Sequence, residues 1–112
     1  MKTIKALEAA PAQTPHGVDV RKLLDTEHVQ VMFITLKPGE ALKRHITPVD
    51  AFFFGLEGRG VAEVGDERVE LGVNELLHSP ARIPHRLLNE SDVPFRVLVV
   101  KTPRPTEGTK VL

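Results

Sequence analysis

Nine prolines and eight glycines divide this 112-residue chain into stretches that rarely exceed nine residues. Those stretches are rich in Val, Leu, Ile and Phe and carry no sustained 3.6-residue period, which argues for an all-β chain. Residues 28–37 read as a strand apolar on both faces, with Val29, Val31 and Phe33 on one side and Met32, Ile34 and Leu36 on the other. That pattern suits a strand packed between two layers. Pro38-Gly39 ends it in a turn.

The segments Val61 to Val64 and Glu67 to Leu71 flank Gly65-Asp66, a Gly-X pair suited to a two-residue type II′ hairpin whose first position needs positive φ. Further strands are expected at 51–57, 75–79, 85–89 and 95–101, with 89–94 as a polar loop. Residues 21–24 fit either one turn of helix or the tail of a strand beginning at Val18. At least seven short strands joined by turns point to a sandwich or a closed barrel. One domain is expected over 1–112, with a barrel core at about 18–102; the first ten residues and Pro103 to Leu112 are expected to be arms outside it.

Fifteen basic and fifteen acidic residues cancel, and neither sign is gathered into a block, which removes the electrostatic case for nucleic acid or an anionic membrane. A small-molecule partner is the natural expectation. No run of eighteen apolar residues occurs, and Met1 to Ala10 lack the apolar core of a signal peptide, so a cytoplasmic location is expected by default. The absence of cysteine excludes disulfides, zinc-thiolate sites and thiol catalysis. Any metal would be held by nitrogen and oxygen.

Two histidines then stand out. His45 closes the phrase Pro38-Gly39-Glu40-Ala41-Leu42-Lys43-Arg44-His45, and His85 lies within Pro80-Ala81-Arg82-Ile83-Pro84-His85-Arg86-Leu87-Leu88-Asn89. Alternation along a strand turns His45 and Thr47 the same way, and His85 the same way as Leu87 and Asn89. Forty residues separate the two imidazoles, so only a folded barrel can bring them together.

Over residues 37–101 these phrases, the first running on to Gly58 and the second opening at Gly72, resemble the paired motifs of the cupin superfamily. The resemblance implies a jelly-roll β-barrel (a double-stranded β-helix) that commonly holds one divalent metal, such as zinc, iron, nickel or manganese. It implies His45 and His85 as ligands. Thr47 stands where the family usually has a second histidine, Ala51 where it has a glutamate, and Arg82 where it often has a glycine. The third ligand is therefore open between Asp50, one position off the glutamate frame and needing a bulge to point inward, His78 ahead of Pro80, and water. His16 and His28 lie outside both motifs and read as structural.

If Ala51, Phe53 and Gly55 face the interior, Phe52, Phe54 and Leu56 face out, and a partner subunit in a homodimer is expected to cover them, the competing reading being coverage by the N-terminal arm. Replacing a histidine and a glutamate by Thr47 and Ala51 leaves a roomier, less charged pocket suited to a small organic ligand. Two functions follow. One is a metal-dependent protein acting on a small organic molecule; the other is a non-catalytic sensor or carrier with a reduced metal site. A metal-free sugar or phosphate epimerase is a weaker third, for want of a clear histidine and acid pair.

Overall fold

A computed structural model describes all 112 residues. Ten strands follow one another: β1 (Asp19–Asp25), β2 (Gln30–Leu36), β3 (His45–Ile46), β4 (Asp50–Glu57), β5 (Gly60–Val64), β6 (Glu67–Leu71), β7 (Leu76–Ser79), β8 (His85–Leu88), β9 (Phe95–Thr102) and β10 (Lys110–Val111). The one helical element is a 3-10 turn at Ala6–Glu8. No helix is long and apolar enough to cross a membrane.

The strands form two five-stranded antiparallel sheets, ordered β1-β2-β9-β4-β7 and β10-β3-β8-β5-β6. Their inner faces enclose one core, in which Leu36, Leu87, Phe95 and Val97 are fully buried. Each such side chain contributes roughly 1.5–3 kcal/mol by leaving water. The undecided segment Arg21 to Leu24 is the tail of strand β1, joined to β2 with a register irregularity between Lys22 and Leu24. Gly65 takes φ 59° at the tip of the β5-β6 hairpin, as the Gly-X pair predicts.

Strand β4 alternates as its composition requires, with Ala51, Phe53 and Gly55 buried and Phe52 and Phe54 on the outer face. Gly55 has to be glycine for packing. A Cβ there would stand 1.9 Å from the carbonyl oxygen of Gly72, because the turn before β7 is hydrogen-bonded directly onto the Gly55 backbone.

The C-terminal segment differs from the expected free arm. After β9 the chain returns to the barrel, and Lys110 and Val111 pair with Ile46 and His45 as the edge strand of the second sheet. The N-terminal segment is also tied down, through a bridge between Pro11 and Arg21 and a backbone hydrogen bond from Ala12 to Val20. Both arms are held here by backbone pairing, a force that composition does not reveal.

Candidate functional site

Strands β3 and β8 are neighbours in the second sheet, and His45 and His85 are directly paired in register. Both face inward and are buried, His85 at 2% exposure. Their Nε2 atoms lie 3.0 Å apart, with the rings edge to face at a centroid distance of 4.5 Å. The barrel thus joins the two residues that the sequence frames single out.

The partners of these rings assign their tautomers. Nδ1 of His45 lies 2.7 Å from the carbonyl oxygen of Lys43, which can only accept, so Nδ1 carries the proton and Nε2 a lone pair. His85 then donates Nε2–H to His45, and its Nδ1 accepts from the Ser79 hydroxyl at 2.6 Å. Thr47 Oγ1 lies 3.3 Å from the same Nε2 and shares the donation. A directed chain results, from Ser79 through His85 and His45 to the Lys43 carbonyl. No buried side-chain polar atom in the molecule lacks a partner.

Burial makes both imidazoles harder to protonate. His85 is lowered to about 3, chiefly by desolvation and then by the neighbouring His45. His45 is lowered as well, by desolvation, with the Lys43 carbonyl working in the opposite direction. Both rings are neutral at physiological pH, the form in which imidazole offers a lone pair.

The pair opens onto a cavity of about 450 Å³ between the two sheets. Val20, Met32, Ile34, Leu42, Phe53 and Val99 supply its apolar walls. Its mouth is built by the two terminal segments, Ala12 to His16 on one side and Pro105 to Thr109 on the other. His16 is the functional candidate that sequence reasoning passes over: its ring centroid lies 4.7 Å from that of His45. Its Nδ1 accepts from the Lys43 amide at 2.9 Å, which leaves Nε2–H as a donor when the ring is neutral. Its pKa is lowered to about 4, by burial first and by His45 second.

Asp50 and His78 are elsewhere. Strand β4 runs regularly from Asp50 with no bulge at its start, so Asp50 shares the outer face with Phe52. Its carboxylate lies 3.0 Å from Nε2 of His78 and accepts from the Ala81 amide, and both side chains are about half exposed. His78 stacks on Phe52, also outside. The expectation that either would complete an inward ligand set is corrected by strand parity. No group of three or more histidine, cysteine or acidic side chains is arranged to hold a metal ion. Arg82 is exposed and pairs with Glu107, and the part-buried Arg86 pairs with Glu63.

A double-stranded β-helix with paired histidines on the inner face of one sheet defines the class of protein. The chain belongs to the cupin family, whose Cupin domain model matches residues 32–101. The tetracenomycin polyketide synthase protein TcmJ of Streptomyces glaucescens is 35% identical over 79 residues, which are 67% of this chain and 53% of that protein. An uncharacterized protein of Methanocaldococcus jannaschii, MJ1618, is 29% identical over 72 residues, 63% of this chain and 57% of its own. The chain thus spans little more than half the length of these curated relatives. Among solved structures, TT1209 from Thermus thermophilus is 33% identical with a TM-score of 0.78, covering 91% of this chain and 98% of that one. The polyketide cyclase RemF from Streptomyces resistomycificus shares the fold at 19% identity and a TM-score of 0.84, covering 100% of this chain and 85% of its own.

Proposed function

We propose that this cupin binds a small organic molecule in the cavity between its sheets and acts on it with a divalent metal held by His45 and His85. The observation that carries the reading is the 3.0 Å separation of the two Nε2 atoms at the cavity wall. Two imidazole nitrogens at about 2.1 Å from one ion lie about 3.0 to 3.4 Å apart for angles between octahedral and tetrahedral. The donor chemistry also fits. His45 already presents its Nε2 lone pair, and His85 does so once its proton moves to Nδ1, where the Ser79 hydroxyl rotates from donor to acceptor. Each ligand would then have its second nitrogen fixed by an oxygen, the arrangement that orients metal-binding histidines.

With only two protein nitrogens, the remaining positions fall to water and ligand. When bound, such an ion supplies Lewis acidity or activates oxygen. The chain's own residues contribute the rest. The apolar walls exclude water, and His16, when neutral, offers a hydrogen bond through Nε2. The name of TcmJ, a tetracenomycin polyketide synthase protein, supports an organic substrate.

A second reading, metal-free ligand binding, is favoured by the complete hydrogen bonding of the histidine pair and the absence of a third ligating side chain. One experiment separates the two. Elemental analysis of untagged protein is expected to give stoichiometric metal in the wild type and its loss in both His45→Ala and His85→Ala. Folded wild-type protein without metal, also after incubation with zinc, iron, nickel and manganese salts, would leave the ligand-binding shell alone.

A further inference from the structure

Lys101 stands on the inner face of β9 in the row Phe95, Val97, Val99, an alternation that places an ammonium where the preceding residues are core. It lines the cavity from the first sheet, whereas His45 and His85 line it from the second. The charges around it do not balance. Lys22 also lines the cavity but pairs with Asp25, and the one acid of the lining, Glu107, pairs with Arg82. Lys101 has no carboxylate partner, and its one side-chain hydrogen bond runs to the Thr109 hydroxyl at 3.3 Å. Desolvation lowers its pKa, so the charged form is held at a cost that a counter-ion would relieve.

We infer that Lys101 binds the carboxylate of a small organic acid whose apolar body spans the cavity toward His45 and His85. This rests on the proposed reading of the cavity as a small-molecule site and names the ligand class for it. A single ammonium within apolar walls suits a monoanion with a hydrophobic body. A phosphate would call for several donors converging on it, whereas Lys101 is the one lysine of the lining without an acidic partner. His16, entering from the N-terminal segment, supplies a neutral donor at the mouth.

The test uses benzoate and its uncharged isostere benzamide, with binding measured by calorimetry on the protein as purified. Wild type is expected to favour benzoate by about tenfold or more, the value of one charge-assisted hydrogen bond. Lys101→Met, which keeps the length of the side chain, is expected to bring the ratio close to one, and Lys101→Arg to preserve it. A benzoate preference that survives Lys101→Met but vanishes in His85→Ala would place the anion at the histidine pair and overturn the inference while leaving the cavity reading intact. Equal binding of the two probes by wild type would overturn it in the same way. Failure of both probes to bind would overturn the cavity reading and this inference together.

Discussion

The hydroxyl of Ser79, at the end of β7 in one sheet, lies 2.6 Å from Nδ1 of His85 in the other, so one hydrogen bond ties the two sheets together behind the candidate centre. Both residues are buried, and no water can replace a lost partner without entering the core. Ser79→Ala is therefore expected to cost about 1–3 kcal/mol of stability. In the proposed metal-bound form it also frees the ring of His85, and metal affinity is expected to fall about tenfold or more. Urea unfolding and chelator competition measure the two effects; unchanged metal affinity in a folded Ser79→Ala protein would remove Ser79 from the site.

The same burial makes the metal-free barrel acid-sensitive. His85 titrates at about 3 in the folded chain against 6.5 when unfolded, so between those values the unfolded state binds the extra proton. Stability is fully present above about pH 6.5 and falls as pH drops toward 3, the direction that linkage requires for a histidine buried neutral. His85 alone accounts for a loss of about 2 kcal/mol between pH 7 and pH 5. Urea midpoints of chelator-treated protein across this range should show the slope, and His85→Gln should reduce it, the remainder being carried by His16 and His45, which burial also lowers. A pH-independent midpoint in the wild type would mean that the imidazole is not held neutral.

Whether a residue's place is legible in the sequence depends on whether local spacing or long-range pairing sets it. His45 and His85 are legible because each sits in a strand-and-turn frame, and the buried faces of β4 and β9 follow from simple alternation. Asp50 would need a bulge near Pro48 to turn inward, and there is none. The alternation that buries Ala51 and Phe53 already turns Asp50 outward, and His78 is turned outward because Leu77 and Ser79 face in. His16 has no signal of its own. It reaches the cavity through the Pro11 to Arg21 bridge and the Lys43 amide, contacts that no periodicity encodes. Strand β10 is hidden for a related reason, since two exposed residues pair by backbone alone.

Arg82 occupies the position where the second motif often carries glycine, and its φ is 65°. Left-handed backbone costs an L-residue roughly 1–2 kcal/mol, whereas glycine adopts it freely at an entropic cost of about 0.5–1 kcal/mol relative to alanine. The Arg82 amide donates to the Thr47 carbonyl at 2.9 Å, which holds the loop in this shape beside the histidines. Removing the exposed Arg82 to Glu107 ion pair in both variants makes the comparison clean. Arg82→Gly is expected to be more stable than Arg82→Ala by between about 0.5 and 1 kcal/mol. Equal midpoints in thermal unfolding would show that the loop relaxes out of this conformation.

The outer face of the first sheet carries two cross-strand apolar rows. One runs Leu98, Phe54 and Leu76 across β9, β4 and β7, beside Phe33 of β2, which is itself buried; the other runs Val31, Val100 and Phe52, ending at His78. Neighbouring apolar side chains in both rows make one continuous patch, of the kind that monomeric proteins seldom leave in water. We therefore expect a homodimer that packs these faces together about a two-fold axis, where each row meets its own copy. Sedimentation velocity at micromolar concentration should give twice the chain mass for wild type. Phe54→Glu, which sets like charges against each other across that axis while leaving the cavity face untouched, should give the monomer with the cavity ligand still bound. A monomeric wild type, or a Phe54→Glu dimer, would assign this face to a different role.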